Sequence, residues 1–331
     1  MTQQTFKAMV VTEDPEKTFN RAITERSIDD LPEGDVLIKV QYSSLNYKDA
    51  LSATGNKGVT RNYPHTPGID AAGVVESSTS DDFKAGDQVL VTSYDLGMNT
   101  SGGFSEYIRV PAGWVVKMPA NLSFQEAMIY GTAGFTAGMS VSALTHIVKP
   151  GNGEVLVTGA SGGVGSVAVA ILTKLGFDVV AVGGLTDESE YLKKIGAKEV
   201  IQHEDFTDTS GRPLLKTRFA GAIDTVGGDI LATAIKSINY NGTVTCCGNA
   251  ASMDLPLTVF PFILRSVRLL GIDSQNCPME LRTKIWENLA GDWKLDLLSE
   301  MSAEITLEEL EENIEMMLAG KKKGRTLVKL V

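Results

Sequence analysis

The run Glu154-Val-Leu-Val-Thr-Gly-Ala-Ser-Gly-Gly-Val-Gly165 constrains this chain more than any other stretch. An apolar strand enters a glycine-rich turn that opens directly into a small-residue helix, Ser166 to Leu175. That context, rather than the glycines alone, makes a dinucleotide-phosphate cradle. Glycine is needed where the backbone turns sharply, approaches a pyrophosphate or packs a helix closely on its strand, while the helix's first N–H groups face the anion. The pattern reads [G/A]-x-G-x-x-G with Ala160 at its first position and Gly162 and Gly165 in the last two roles. A shifted register, Gly163-x-Gly165-x-x-Ala168, also matches the looser form. The first is preferred because Thr158 ends the strand. A tight strand-to-helix turn that binds nothing is the alternative.

Beyond the glycine loop the strand–helix alternation repeats. Phe177 to Val182 is a short apolar run, Asp187 to Ile195 is helical with Gly196 as its stop, and Glu199 to Gln202 forms another strand. Ala220 to Val226, a helix over Ile230 to Ile238, Gly242 to Cys247 and Val267 to Ile272 continue the series. Such alternation predicts an α/β fold with a Rossmann-type, doubly wound parallel sheet. The earlier residues differ in texture. Asp35 to Tyr42, Gly73 to Glu76, Gln88 to Thr92 and Phe104 to Val110 are short alternating segments set off by turn clusters such as Pro32-Glu-Gly34 and Lys84-Ala-Gly-Asp87. They predict a small, mostly β domain. Near the end, Leu307, Leu310, Ile314 and Met317 mark an amphipathic helix over Leu307 to Leu318, followed by Gly-Lys-Lys-Lys-Gly-Arg325 and a closing strand, Thr326 to Val331. The acidic face and the lysine run are read as solvated surface.

A chain of 331 residues suits two domains. No run long and apolar enough to span a membrane and no leader-like start is seen, so a cytoplasmic protein is expected. The net charge of −11 opposes nucleic-acid binding, which needs a basic surface. Cys246, Cys247 and Cys277 form no disulfide framework. Adjacent cysteines strain the intervening peptide when bridged, so Cys246 and Cys247 are expected as small packing residues.

Several motifs together carry a family resemblance: Ser44-Leu-Asn-Tyr-Lys-Asp49, Pro67-Gly-Ile-Asp-Ala-Ala-Gly73, Gly131-Thr-Ala-Gly-Phe-Thr-Ala137, the glycine loop, and Pro261-Phe-Ile-Leu-Arg265 with Gly271-Ile-Asp-Ser274. Over essentially its whole length the chain resembles the medium-chain dehydrogenase/reductase superfamily, in its zinc-free quinone-oxidoreductase branch and acrylyl-CoA reductase group. The resemblance implies a GroES-like β-barrel domain from residues 1–126 and 298–331, and a Rossmann nucleotide-binding domain over 127–297. It also implies a homodimer paired through sheet edges, for which Val267-Arg-Leu-Leu-Gly-Ile272 is the apolar candidate.

Residue types argue against zinc. A catalytic zinc needs three protein ligands, usually including Cys or His, and a structural zinc four. All three cysteines lie beyond residue 245, and His65, His146 and His203 are scattered. Zinc-dependent relatives carry Gly-His-Glu where this chain has Gly68-Ile-Asp70. Alcohol oxidation is therefore disfavoured. Hydride transfer to an activated alkene or a quinone needs only positioning and a donor for the developing oxyanion.

The coenzyme is read at the end of the second strand, where an NAD site places an acid for the ribose hydroxyls. Val179-Val-Ala-Val182 runs into Gly183-Gly184 with no acid, which favours NADPH; Asp187 is read as a helix-capping residue. The acrylyl-CoA reductase group carries Ser-Gly-Arg at this tip. Here Gly183, Gly184 and Leu185 stand there instead, leaving Thr186, Tyr191 or His203 to compensate.

By resemblance, Tyr47 and Thr132 lie beside the nicotinamide, Ser161, Gly162, Gly163, Val164 and Gly165 hold the pyrophosphate, and Asn249, Ile263 and Ser274 approach the nicotinamide side. Asn249 alternatively serves a turn and Ile263 the core. Reduction of a 2-enoyl thioester needs a donor for the enolate oxygen and a proton for the α-carbon. Tyr47, Asn46 and Asp49 are the candidates, with Lys48 beside them. Asn46 and Asp49 can equally be buried structural hydrogen-bonders, and solvent can supply the proton. Lys57 and Arg61 would meet CoA phosphates or simply be solvated. An enoyl-CoA, a quinone, or NADPH binding without turnover in a redox sensor are the readings left open.

Overall fold

The computed structural model describes residues 4–183 and 188–331. It divides into two compact units, one of residues 1–132, 275–290 and 298–331, the other of residues 133–274 and 291–297.

The first unit begins with a hairpin, β1 (Thr5–Glu13) and β2 (Phe19–Ser27), paired antiparallel. Then come β3 (Val36–Leu45), α1 (Tyr47–Ala53), β4 (Asp70–Ser78), β5 (Gln88–Thr92), β6 (Tyr107–Val110) and β7 (Val116–Lys117). α2 (Phe124–Thr145) leaves this unit through a break at Gly131, where φ is 50° and ψ is −157°. Thr132 is the last residue of α2 that belongs to the first unit.

The second unit runs β8 (Glu154–Thr158), α3 (Gly163–Lys174), β9 (Val179–Gly183), α4 (Ser189–Lys194), β10 (Glu199–Gln202), α5 (His203–Phe206), β11 (Phe219–Asp224), α6 (Gly228–Lys236), β12 (Ile238–Cys246), α7 (Phe260–Arg265) and β13 (Arg268–Gly271). The chain returns to the first unit for α8 (Met279–Ala290), β14 (Ser302–Thr306), α9 (Leu310–Leu318) and β15 (Arg325–Lys329).

In the first unit a seven-stranded sheet has the order β14-β15-β3-β4-β5-β7, with β6 paired to β3. Its neighbours within the run β15 to β7 are antiparallel, and Met9, Val11, Val36, Ile38, Val89, Phe104, Ile108 and Val328 fill the core. This is the GroES-like barrel. In the second unit the six-stranded sheet is all parallel, ordered β10-β9-β8-β11-β12-β13. Leu156, Val180, Ala222 and Val244 are buried in that sheet, the near-continuous apolar strands that a sheet covered on both faces requires.

Several expectations shift. The hairpin β1–β2 and the helices α1 and α2 were not anticipated. α2 gives no sequence period because it is two helical pieces merged across Gly131. β9 begins at Val179 rather than Phe177, and β6 at Tyr107 rather than Phe104. The amphipathic helix begins at Leu310, three residues late, with Glu309 at its cap. Among the described residues no helix is long and apolar enough to cross a membrane.

Candidate active site

In the first unit, the tetrapeptide Asn46-Tyr47-Lys48-Asp49 forms the opening of α1, with Asn46 at the cap position. Asp49 sits at the third helical position and reaches back to the Asn46 N–H at 2.8 Å, the reciprocal half of a capping box. Its other oxygen accepts the Ile69 N–H at 2.8 Å. The motif is thus a helix start, and Asn46 and Asp49 are both buried within it.

Around them lies a polar cluster drawn from four distant segments. Asp70, the first residue of β4, accepts from Ser44 Oγ at 2.6 Å, Asn46 Nδ2 at 2.8 Å, Thr132 N at 2.9 Å and Thr132 Oγ1 at 2.6 Å. Arg325, the first residue of β15, donates to Ile129 O at 2.8 Å, Ser44 Oγ at 2.9 Å and Asn46 Oδ1 at 3.2 Å. Its Nη2 lies 3.8 Å from Asp70 Oδ2, both side chains being buried. Burial pushes the Asp49 carboxyl up to about 7, the neighbouring Asp70 charge pushing the same way and the Asn46 and Ile69 N–H groups pulling it back. Burial likewise lowers Arg325, against the two carboxylates. Ser93 Oγ stands 2.8 Å from Thr132 Oγ1.

Only glycine fits at 131. A Cβ there would lie 2.5 Å from Asp70 Oδ2, 2.6 Å from Ser44 Oγ and 2.8 Å from Arg325 Nη2, at a positive φ.

The sequence-predicted residues of this unit therefore separate. Asn46, Asp49 and Thr132 meet in the cluster, whereas Tyr47 stands outside it with 54% of its surface exposed. Lys48 donates to Gln275 Oε1 at 2.8 Å. Lys57 pairs with Glu13 at 2.6 Å and lies over the rings of Phe19 and Tyr63, so it is engaged rather than merely solvated. Asp70, Ser44, Ser93 and Arg325 were missed. Asp70 stood in a family motif with no assigned role. Arg325 closes a lysine-rich run read as surface, yet it is buried; its one signal is that it opens the apolar strand Thr326-Leu-Val.

In the second unit, β8 ends at Thr158 and Gly159 makes the turn at φ 59°. A Cβ on Gly165 would meet Gly159 O at 2.2 Å, and one on Gly162 would meet the same oxygen at 3.3 Å. Gly165 therefore performs the close helix packing that the preferred register assigned to it. Ser161 and Gly162 lead into α3, and Gly163, Val164 and Gly165 form its first turn, whose N–H groups have no intrahelical acceptor and suit a pyrophosphate. The residues present fit a dinucleotide.

At the tip of β9, Gly183 has no acid beside it in sequence, but Glu188 folds back so that Oε2 lies 3.3 Å from where a Gly183 Cβ would stand. Glu188 is buried. Gly184, Leu185, Thr186 and Asp187 lie outside the described residues. Burial raises the Tyr191 phenol, whose buried hydroxyl makes no hydrogen bond among the described residues, and His203 opens α5. A cleft of about 580 Å³ lies at the C-terminal ends of β12 and β13, lined by Cys246, Cys247, Gly248, Asn249, Gly271, Ile272 and Asp273. That is the edge at which open parallel sheets take ligands. Asn249 is exposed there, Ser274 follows the lining residues and is half-buried, and Ile263 is 65% exposed, not a core residue.

The cysteines are free. Burial, with Asp224 adding, pushes Cys247 up to about 12. Cys246 and Cys247 both line the cleft and so are not simply packing residues. Among the described residues no group of three His, Cys, Asp or Glu side chains is placed to hold a metal.

Two family models match: an alcohol dehydrogenase GroES-like domain over residues 32–120 and a zinc-binding dehydrogenase domain over 163–291. The acrylyl-CoA reductase AcuI of Ruegeria pomeroyi is 43% identical across 98% of both chains. A Bacillus subtilis protein named "Putative quinone oxidoreductase YhfP" is 48% identical across 92% of this chain and 93% of its own, and its structure with NAD bound superposes with a TM-score of 0.96. The yhdH oxidoreductase of Salmonella enterica, in complex with NADP, is 44% identical with a TM-score of 0.95, covering 98% of this chain and all of its own.

Proposed function

This chain belongs to the medium-chain dehydrogenase/reductase superfamily of oxidoreductases, and we propose that it is an NADPH-dependent reductase of an activated carbon–carbon double bond, with a short 2-enoyl-CoA such as acrylyl-CoA as its substrate class. The observation that carries this reading is the Asn46–Asp70–Thr132–Arg325 cluster. It holds hydroxyl, amide and guanidinium donors around two carboxylates and contains no Cys or His, in a chain aligned end to end with an acrylyl-CoA reductase.

Bound NADPH supplies a hydride to the β-carbon of the substrate. Gly162, Gly163, Val164 and Gly165, with Ser161, hold the pyrophosphate on the first turn of α3. Gly183, Tyr191 and His203 would meet the ribose phosphate; Gly184 and Thr186, assigned to it from the sequence, lie outside the described residues. Asn249, Ile263 and Ser274 serve the nicotinamide side. The Tyr47 phenol, exposed and free of the cluster, donates to the oxygen on which negative charge builds, a role worth about 10²-fold when well aimed. Asn46 and Asp49 act through it by fixing the helix turn that carries it, and Thr132 flanks the cofactor. Either Tyr47 or water then protonates the α-carbon. A quinone reductase is the second reading, favoured by the name of the YhfP relative.

We also propose a cytoplasmic homodimer. β13 is an edge strand, and Val259, Phe260 and Leu264 beside it are exposed apolar side chains that pairing would cover.

Anaerobic NADPH oxidation with acrylyl-CoA, crotonyl-CoA and a benzoquinone tests the assignment. The highest kcat/KM is expected for acrylyl-CoA, undiminished by exhaustive chelation; a higher value for the quinone replaces the first reading by the second. No turnover with any acceptor leaves a binding protein. Titration of nicotinamide fluorescence should show NADPH binding more tightly than NADH, and equal affinities would remove the coenzyme assignment.

A further inference from the structure

The turn after β5 holds two consecutive non-glycine residues in left-handed backbone, Ser93 at φ 63° and Tyr94 at φ 51°. Side chains bearing a Cβ pay for that conformation, and it persists only where the surroundings over-determine it. Here they do. Arg282 of α8, fully buried, donates to Thr92 O at 2.9 Å and to Thr92 Oγ1 at 3.0 Å, and its guanidinium carbon lies 4.2 Å from the centre of the Tyr94 ring. The same ring stacks on Trp114, 5.5 Å away and within 5° of parallel. Tyr94 also donates its hydroxyl to Cys277 O at 3.4 Å and its N–H to Gln275 O at 3.3 Å, while the Ser93 N–H is held by Ile69 O at 2.8 Å.

The product of this clamp is the position of one hydroxyl. Ser93 is 4% exposed, and its Oγ lies 2.8 Å from Thr132 Oγ1. Thr132 has a single hydroxyl proton, and that proton goes to Asp70 Oδ1 at 2.6 Å. Ser93 is therefore the donor in the Ser93–Thr132 bond. The order Ser93 to Thr132 to Asp70 leaves Thr132 one orientation, its backbone N–H being held by the same carboxylate.

We propose that Ser93 is a positioning residue for the reduction: strain imposed by the Arg282 clamp aims its hydroxyl at Thr132 and so locks the orientation of the Thr132 hydroxyl. This rests on the reading of Thr132 as a residue beside the cofactor. No part of the fold needs the Ser93 hydroxyl, since its Oγ makes no other hydrogen bond among the described residues; the backbone of the turn is held by other groups.

The test separates strain from function. Ser93→Gly removes the hydroxyl and relieves the left-handed backbone, so its urea midpoint should equal or exceed that of the wild type. Its kcat should fall about tenfold, the worth of one neutral hydrogen bond, with NADPH affinity within twofold. Ser93→Ala keeps the strain and loses the hydroxyl; it should show the same fall in kcat without a gain in stability. Turnover is measured with whichever of the three acceptors the wild type reduces best. Wild-type turnover together with a kcat within twofold in both variants overturns the proposal. A markedly destabilised Ser93→Gly overturns it too, because the turn would then store no strain. Absence of turnover in the wild type is the separate failure of the functional reading, recognisable because it precedes any mutation.

Discussion

Replacing Arg325 with methionine should remove the only cation inside the buried cluster among the described residues while keeping an apolar stem of the same length as far as Nε. The guanidinium makes three good hydrogen bonds, to Ile129 O, Ser44 Oγ and Asn46 Oδ1, and faces Asp70 at 3.8 Å. Methionine leaves Asp70 and Asp49 buried with hydrogen-bond donors but no compensating charge. Breaking a buried ion pair on one side costs about 3–5 kcal/mol, and the upper half of that range is expected because two carboxylates share the one cation. The loss should depend on pH. Removing the cation raises Asp49 further still, so the deficit should be largest well above neutral pH and shrink as the solution is acidified toward about 7, the value Asp49 has with Arg325 in place. Urea unfolding followed by tryptophan fluorescence suits the measurement, since Trp114 and Trp286 both belong to the unit that contains the cluster. Arg325→Lys should recover less than half of the loss, because an ammonium cannot span three separated acceptors in one plane. A deficit under about 1 kcal/mol, the size of an exposed pair, or one that does not change between pH 8 and pH 5, would refute the reasoning.

Gly131→Ala should destabilise the protein by at least about 3 kcal/mol, since the added carbon meets three cluster atoms at a backbone conformation reserved for glycine; a melting temperature within error of wild type would contradict this. Asp49 is raised from 3.8 to about 7, so the folded state holds a proton that the unfolded chain has lost, and its contribution to stability declines as pH rises between those two values. The Asp49→Asn variant should lack that part of the slope, at most about 1.4 kcal/mol per pH unit, whatever its absolute stability; superimposable pH–stability slopes would reject the buried-acid assignment. Tyr47→Phe should lower kcat by about 10²-fold at saturating NADPH while leaving NADPH affinity unchanged. An unaltered kcat would assign the proton to solvent and Tyr47 to packing.

The parallel sheet of the second unit could be read from residue order because its information is local. A strand, a glycine turn and a helix succeed one another between Glu154 and Lys174, and each carries its own period and stop signal. Glu199–Gln202 and Gln88–Thr92 coincide with observed strands for that reason. Gly165 was recognisable because no larger residue can approach Gly159 O so closely. The hairpin β1–β2 was not legible, its half-exposed residues alternating too weakly, nor was α2, whose period is interrupted at Gly131. Asn46 and Asp49 could be selected as a polar pair. Their role as the cap of α1, and their meeting with Asp70, Thr132 and Arg325, arise from segments up to 279 residues apart. The same is true of Glu188, which brings a carboxylate beside Gly183 although the strand tip carries none. Residue types show which groups are able to donate, accept or bear charge, but burial and the company of other charges decide which state each adopts, and both are properties of the folded chain alone.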